Sequence, residues 1–409
     1  MKELFAVRWV KIALFNLFLV ACLGVLMRYK IGFDFPFFDQ KNIHHSHSHF
    51  ALYGWISLII MVLMTHALRL KDSAKPLLSF KTLFLIQLLS AYGMFISFFV
   101  QGYGTVSTSF SMLSLLSSIY FCGYFFRQAQ EHKQEPAFKW FNAALLFNLI
   151  AAMGTFYMTY MMLTKQLDQN IYLASEYWIL HFQYNGWMFF ACLGLFIQYL
   201  HTQNKEVASL NRVFWLFALS CLPAYGLSVL WLELPLSIYI PVVLASLCQF
   251  VGLVFLMDYV RKNRFFDDLR LELFPRLLLA GIGGALLIKV CLQLGSTIPS
   301  LSQLAFGFRP IVIAYLHLVL LAFTTVFLIT YCVLRKLISP SRFTFIGLSV
   351  FVIGVFLNEL VLGIQGVAAL GYILIPYVNE ALFVVALLIL IGLLLVNLAN
   401  LRWTKQAEQ

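Results

Sequence analysis

Charge is what this 409-residue chain has least of: 28 Lys and Arg with 17 Asp and Glu make up 11% of it, against 62% hydrophobic residues. A water-soluble domain carries roughly 25% charged residues. A mean hydropathy of +0.87 therefore excludes a chain that hides its apolar surface by folding alone. Paired cysteine is also missing. All seven cysteines (Cys22, Cys122, Cys192, Cys221, Cys248, Cys291 and Cys332) fall in apolar stretches, with no C-x-x-C and no C-x-x-C-H. They read as small core residues rather than as a disulfide framework, a zinc ribbon or an attachment for covalent haem. No small-residue cleavage site follows the first apolar segment, so that segment reads as a retained helix and not a removed signal peptide. There is no P-loop, no G-x-G-x-x-G after a strand, no short repeat and no soluble domain of useful size; the longest loop, near 262–274, is a short charged turn.

What is present is a succession of apolar segments, each near the roughly 20 residues that a bilayer requires. They lie near 9–28, 48–68, 81–101, 108–126, 140–163, 177–200, 212–231, 237–258, 274–294, 310–334, 343–364 and 377–400. The expected fold class is an all-α integral membrane protein of about twelve transmembrane helices, forming one polytopic domain over residues 1–409. The net charge of +11 follows from topology. With the N-terminus inside, about 22 Lys and Arg fall on the inner side, among them Lys2, Arg8, Lys75, Arg264, Arg270, Arg402 and Lys405. Only Arg28, Lys30, Lys41, Lys165, Lys289 and Arg309, about six, are counted outside. The positive-inside rule then sets both termini in the cytoplasm and identifies the bilayer as the partner of the positive charge, with no nucleic acid. A multi-pass protein of a bacterial-type inner membrane is expected.

Histidine is uncommon within membranes, yet "HHSHSH" stands at the outer end of the second segment, His181 about five residues into the sixth and His317 about seven into the tenth. Three spans far apart in sequence thus carry imidazole in one outer third of the bilayer. Neutral imidazole binds iron or copper without burying net negative charge. Two imidazoles on opposing helices can clamp a haem from both faces, whereas a single one leaves the iron open to a diatomic gas. On a helix, His45 and His49 share a face and His47 points elsewhere; if Ser46–Ser48 is extended, His45, His47 and His49 share one side. His49 is the first candidate ligand and His47 its competitor, while His44 and His45 suit a vestibule or a secondary metal. His66 and His201, at inner helix ends, and His132, in a charged loop, read as interfacial or solvated.

The sixth segment contains "EYWILHFQYNGWMFF", in which His181 and Asn185 share a face, Tyr184 can orient a ligand and Gly186 permits close backbone approach. The tenth contains Tyr315 two residues before His317. Asn358-Glu359 and Asn379-Glu380 are the intramembrane acid pairs, read equally as proton-path groups or as structural hydrogen bonds.

Twelve helices with histidines at the outer ends of the second, sixth and tenth resemble the catalytic subunit I of haem-copper oxidases and nitric oxide reductases. The likeness spans nearly the whole chain in topology but only three short motifs in sequence. It implies a low-spin haem b held by His49 or His47 together with His317, and a second copper or iron site at His181. "HFQYNGW" is much like the nitric oxide reductase stretch, with Asn185 where that family has glutamate. The sequence departs from the family in two places. Tyr315 replaces the histidine proximal to the reactive haem, and "RVFWLFALSCLPAYGLSVLW" has none of the adjacent histidines of the seventh helix.

The resemblance implies an oxidoreductase acting on oxygen or nitric oxide, with quinol or a cytochrome as electron donor and small partner subunits. Cofactor-binding candidates are His49, His47, His317 and Tyr315; metal candidates are His181, His45, Tyr184 and Asn185. A non-catalytic haem or copper protein of nitric oxide response, sensing or metal handling is the second expectation. A twelve-helix secondary transporter is the third, although transporters of that kind place their polar groups near the midplane.

Overall fold

The computed structural model describes residues 2–33, 35–72, 77–165, 168–263, 272–401 and 403. Lys75, Arg264, Arg270, Arg402 and Lys405 of the inner charge set lie outside them. The described residues are helical, with no strand. Among the described residues, ten helices are long and apolar enough to cross a bilayer, as in a multi-pass membrane protein, and an eleventh forms if Leu210–Cys221 and Pro223–Val229, bent by 53°, are one span. The remaining expected span is an unbroken helical run, Gln169–Thr202. Its apolar character is diluted by His181, Gln183, Asn185 and Gln198, all of them buried.

The chain divides into two compact units, residues 1–128 with 328–409, and residues 129–327. The first unit begins with α1 (Lys2–Gly32), followed by α2 (Gln40–His49), a π-helical segment (Phe50–Ser57) and α3 (Leu58–Ala67) in one line, then α4 (Phe80–Gln101) and α5 (Thr105–Ala129). The second contains α6 (Phe138–Thr164), then α7 (Gln169–His181), a π segment (Phe182–Met188) and α8 (Phe189–Thr202). There follow α9 (Leu210–Cys221), α10 (Leu236–Lys262), α11 (Leu273–Gly295), α12 (Pro299–Gly307), α13 (Arg309–His317) and a third π segment (Leu318–Thr325). The run Val326–Leu334, α14, returns the chain to the first unit, which closes with α15 (Arg342–Leu370) and α16 (Val378–Leu401).

Two of these helices begin well before the apolar segments seen in sequence. Asp39 accepts the Asn42 N–H at 2.9 Å, so α2 starts at Gln40 and the whole "HHSHSH" run is helical. Asp168 accepts the Ile171 N–H at 2.9 Å and starts α7 at Gln169. Hydropathy misses both starts because the first turns are polar, while an Asx cap stabilises a helix whatever its hydropathy. Packing within the first unit relies on small residues, as in membrane bundles. α15 and α16 approach so closely that a Cβ on Gly392 would stand 2.5 Å from the Phe351 nitrogen and one on Gly347 would be 2.8 Å from the Gly392 oxygen. The Asn397 amide ties α16 to α1 through the Leu14 carbonyl at 3.2 Å.

A π turn widens the helix and shifts its hydrogen-bond register, and polar side chains attend the shift. Asn16 on α1 donates to the Gly54 carbonyl at 2.6 Å, and Gln87 on α4 donates to the Tyr53 carbonyl at 3.1 Å. In the third π segment, Thr324 and Thr325 each donate to the carbonyl five residues back, at 2.8 Å. Gln87 is fully buried and also exchanges hydrogen bonds with Ser114 at 3.1 and 3.2 Å. Gln87→Leu is therefore expected to destabilise the protein by about 1–3 kcal/mol through the buried groups left unmet, read as a lowered unfolding midpoint in detergent. An unchanged midpoint would contradict this role.

Candidate functional site

His49, His181 and His317 are the last residues of α-helical segments of 10, 13 and 9 residues. Each is followed directly by one of the three π segments. Their distances from the helix starts differ by four residues, about 6 Å along the axis. Long π-helical stretches are rare and recur at functional sites, so the conjunction marks these three turns. Sequence reading found the histidines and missed the π segments, for which hydropathy has no signal.

On α2 the histidines divide between two faces. His47 turns to α1, where its Nδ1 lies 3.0 Å from the Val20 carbonyl. A carbonyl can only accept, so Nδ1 carries the proton and the ring's lone pair sits on Nε2. His45 and His49 turn to α4 and the loop after it. The His49 ring stacks on Phe98 at 4.3 Å, and its Nε2 is 3.3 Å from the Tyr103 hydroxyl. His45 meets the Tyr103 ring edge-on at 4.6 Å. His45 Nε2 and His49 Nδ1 are buried without a hydrogen-bond partner. Tyr103 is brought back over α2 by Gly102, whose φ of +67° favours glycine, and the loop is pinned by Ser107, which donates to the Gly102 carbonyl at 2.8 Å.

In the second unit, His181, Tyr184 and Asn185 lie in a buried polar core, and partly buried Tyr315 meets it through Tyr184. His181 is 0% exposed, and its Nε2–H donates to the Cys221 carbonyl at 2.9 Å. Its Nδ1 therefore accepts, from the Asn185 amide at 3.1 Å, with the Ser228 hydroxyl 3.4 Å away. That arrangement sets the amide and leaves Asn185 Oδ1 buried with no hydrogen-bond partner. Metal ligation by His181 would have to break one of these bonds. Tyr184 neighbours Ser228 and Tyr315, and the Tyr184 and Tyr315 rings meet edge-on at 6.1 Å. Gly186 allows the close approach expected of it, since a Cβ there would strike the Phe147 Cβ on α6.

Lys289 corrects the outer charge count. It lies within α11 and is 2% exposed, with Nζ donating to Gln293 Oε1 at 3.0 Å and standing 5.5 Å from the Phe189 ring centre. Among the described residues, no carboxylate is within ion-pair distance of it, and it is close enough to His181 and Cys221 to act on both electrostatically. An intramembrane lysine is the signal that should have drawn attention in the sequence; summing it with the loop charges concealed it. The Asn358 amide donates to neighbouring Glu359 at 3.1 Å, so that Asn-Glu pair makes a local bond.

His317 on α13 has Nδ1 2.9 Å from the Ile313 carbonyl, so it too carries its lone pair on Nε2. His47 and His49 belong to the first unit and His317 to the second. Among the described residues, no three His, Cys, Asp or Glu side chains are grouped to hold a metal ion. No protein-family model and no curated protein matches the chain.

The polar core of the second unit makes a paired prediction. Asn185→Ala strips His181 Nδ1 of its donor and lowers stability by about 1–3 kcal/mol. Lys289→Met removes the cost of burying a polar amine at nearly constant volume, and the unfolding midpoint stays level or rises. A large fall for Lys289→Met would mean that the amine itself holds this core together.

Proposed function

We infer that the protein is a haem-binding membrane redox protein resembling the haem-copper oxidase and nitric oxide reductase catalytic subunit. In this reading His47 on the second and His317 on the tenth of twelve spans are the residues that would hold a haem b, with both termini on the cytoplasmic side of a bacterial-type inner membrane. The carrying observation is a shared tautomer. His47 and His317 each donate Nδ1–H to a backbone carbonyl, at 3.0 and 2.9 Å, which orients the ring and raises the basicity of Nε2, as second-shell carbonyls do for metal-bound histidines. This favours His47 over His49 as the α2 residue that would hold the group, which would supply one-electron transfer if bound.

The chain's own residues close the second site. Both His181 nitrogens are engaged, the Tyr315 ring meets Tyr184 edge-on, and Lys289 places a buried amine nearby. This favours electron transfer or sensing, with quinol or a cytochrome as donor, over reduction of oxygen or nitric oxide. Lys289 supports a second reading: intramembrane cations also line ion and proton paths in transporters, and Asn185 Oδ1 lacks a hydrogen-bond partner nearby.

Reduced-minus-oxidised spectra of the detergent-purified protein separate the readings. The haem reading predicts low-spin b-type bands that disappear in His47→Ala and in His317→Ala and persist in His181→Ala, with no change on adding carbon monoxide. A colourless, correctly folded preparation would remove the haem reading and leave the transporter.

A further inference from the structure

We propose that His45 and His49, with Tyr103 behind them, form a binding site for one copper ion on the first unit, separate from the haem. The proposal rests on assigning the haem to His47, which faces the opposite side of α2. His45 and His49 are one helical turn apart, and their rings share the same two aromatic neighbours. His49 lies flat on Phe98 at 4.3 Å and His45 is 6.1 Å from it, while Tyr103 is 4.6 Å from His45 and 6.1 Å from His49.

Two features point to an absent ligand rather than to packing. His45 Nε2 and His49 Nδ1 are both buried and both without a hydrogen-bond partner. Such groups are costly to leave unmet, and phenylalanine at either position would fill the same space without that cost. The Tyr103 hydroxyl, 3.3 Å from His49 Nε2, can accept the Nε2–H, and in that tautomer the His49 lone pair lies on Nδ1, the atom with no partner. Tyr103 then acts on His49 as the Val20 carbonyl acts on His47, orienting the ring from its far side.

The chemistry of the donors selects the ion. Neutral imidazole nitrogens suit Cu, Zn, Fe and Ni, and with no carboxylate in the pair the oxygen-seeking ions Mg, Ca and Mn are disfavoured. Among first-row divalent ions, copper binds nitrogen donors most tightly. Two imidazoles leave further coordination positions for water. Tyr103 faces His49 Nε2, which leaves Nδ1 as the nitrogen offered to the ion.

The test uses the full chain purified without a polyhistidine tag, stripped with a chelator, and equilibrated separately with Cu2+ and Zn2+ before desalting and metal analysis. One copper per chain is expected, with a nitrogen-coupled electron paramagnetic resonance signal and a copper-dependent rise in the unfolding midpoint. His45→Phe and His49→Phe lose the copper and keep their haem content, whereas His47→Ala keeps the copper and loses the haem. Tyr103→Phe weakens copper binding by about tenfold or more. Wild-type protein that retains no copper, or His45→Phe and His49→Phe variants that retain all of it, would overturn the site; tighter binding of Zn2+ than of Cu2+ would overturn the choice of metal. Failure of the haem reading registers separately, as missing haem bands with the copper stoichiometry intact.

Discussion

A backbone amide or carbonyl in an apolar medium has to find its partner inside the protein, and this requirement is hardest to meet where a helix leaves its regular register. The three π segments are such places. Each directly follows a histidine, and around the first and third the neighbouring polar side chains bond to carbonyls that the shift affects: Asn16 and Gln87 in one, Thr324 and Thr325 in the other. Buried amides and hydroxyls that look incidental in a hydrophobic sequence are therefore the supports of the histidine-bearing turns.

The same accounting of hydrogen bonds sorts the histidines. His181 is completely engaged by its own unit, with Cys221 and Asn185 taking its two ring nitrogens. His47 and His317 have one nitrogen committed to a carbonyl and so have a defined tautomer. His45 and His49 each leave a buried nitrogen without a hydrogen bond. The histidines thus divide chemically: His47 and His317 share one tautomer, while His181 sits among Asn185, Tyr184 and the buried amine of Lys289.

Much of the helical plan was legible in the sequence, because a run of about 20 apolar residues has one simple outcome in a bilayer. The pairing of His45 with His49 on one face and the divergence of His47 follow from 3.6 residues per turn. The polar first turns of α2 and α7 were not legible, because Asp39 and Asp168 act through caps rather than hydropathy. The π segments were not legible because an extra residue per turn leaves no trace in composition. Lys289 was visible as a residue but not as a buried one; its burial depends on Phe189 and Gln293 folding around it.

Near-infrared magnetic circular dichroism of the oxidised protein tests the central claim most directly, since that band reports the axial ligands of low-spin ferric haem. Ligation by His47 and His317 predicts one bis-imidazole band and no high-spin component. A high-spin signal, a histidine–tyrosinate band or no haem signal at all would contradict the account.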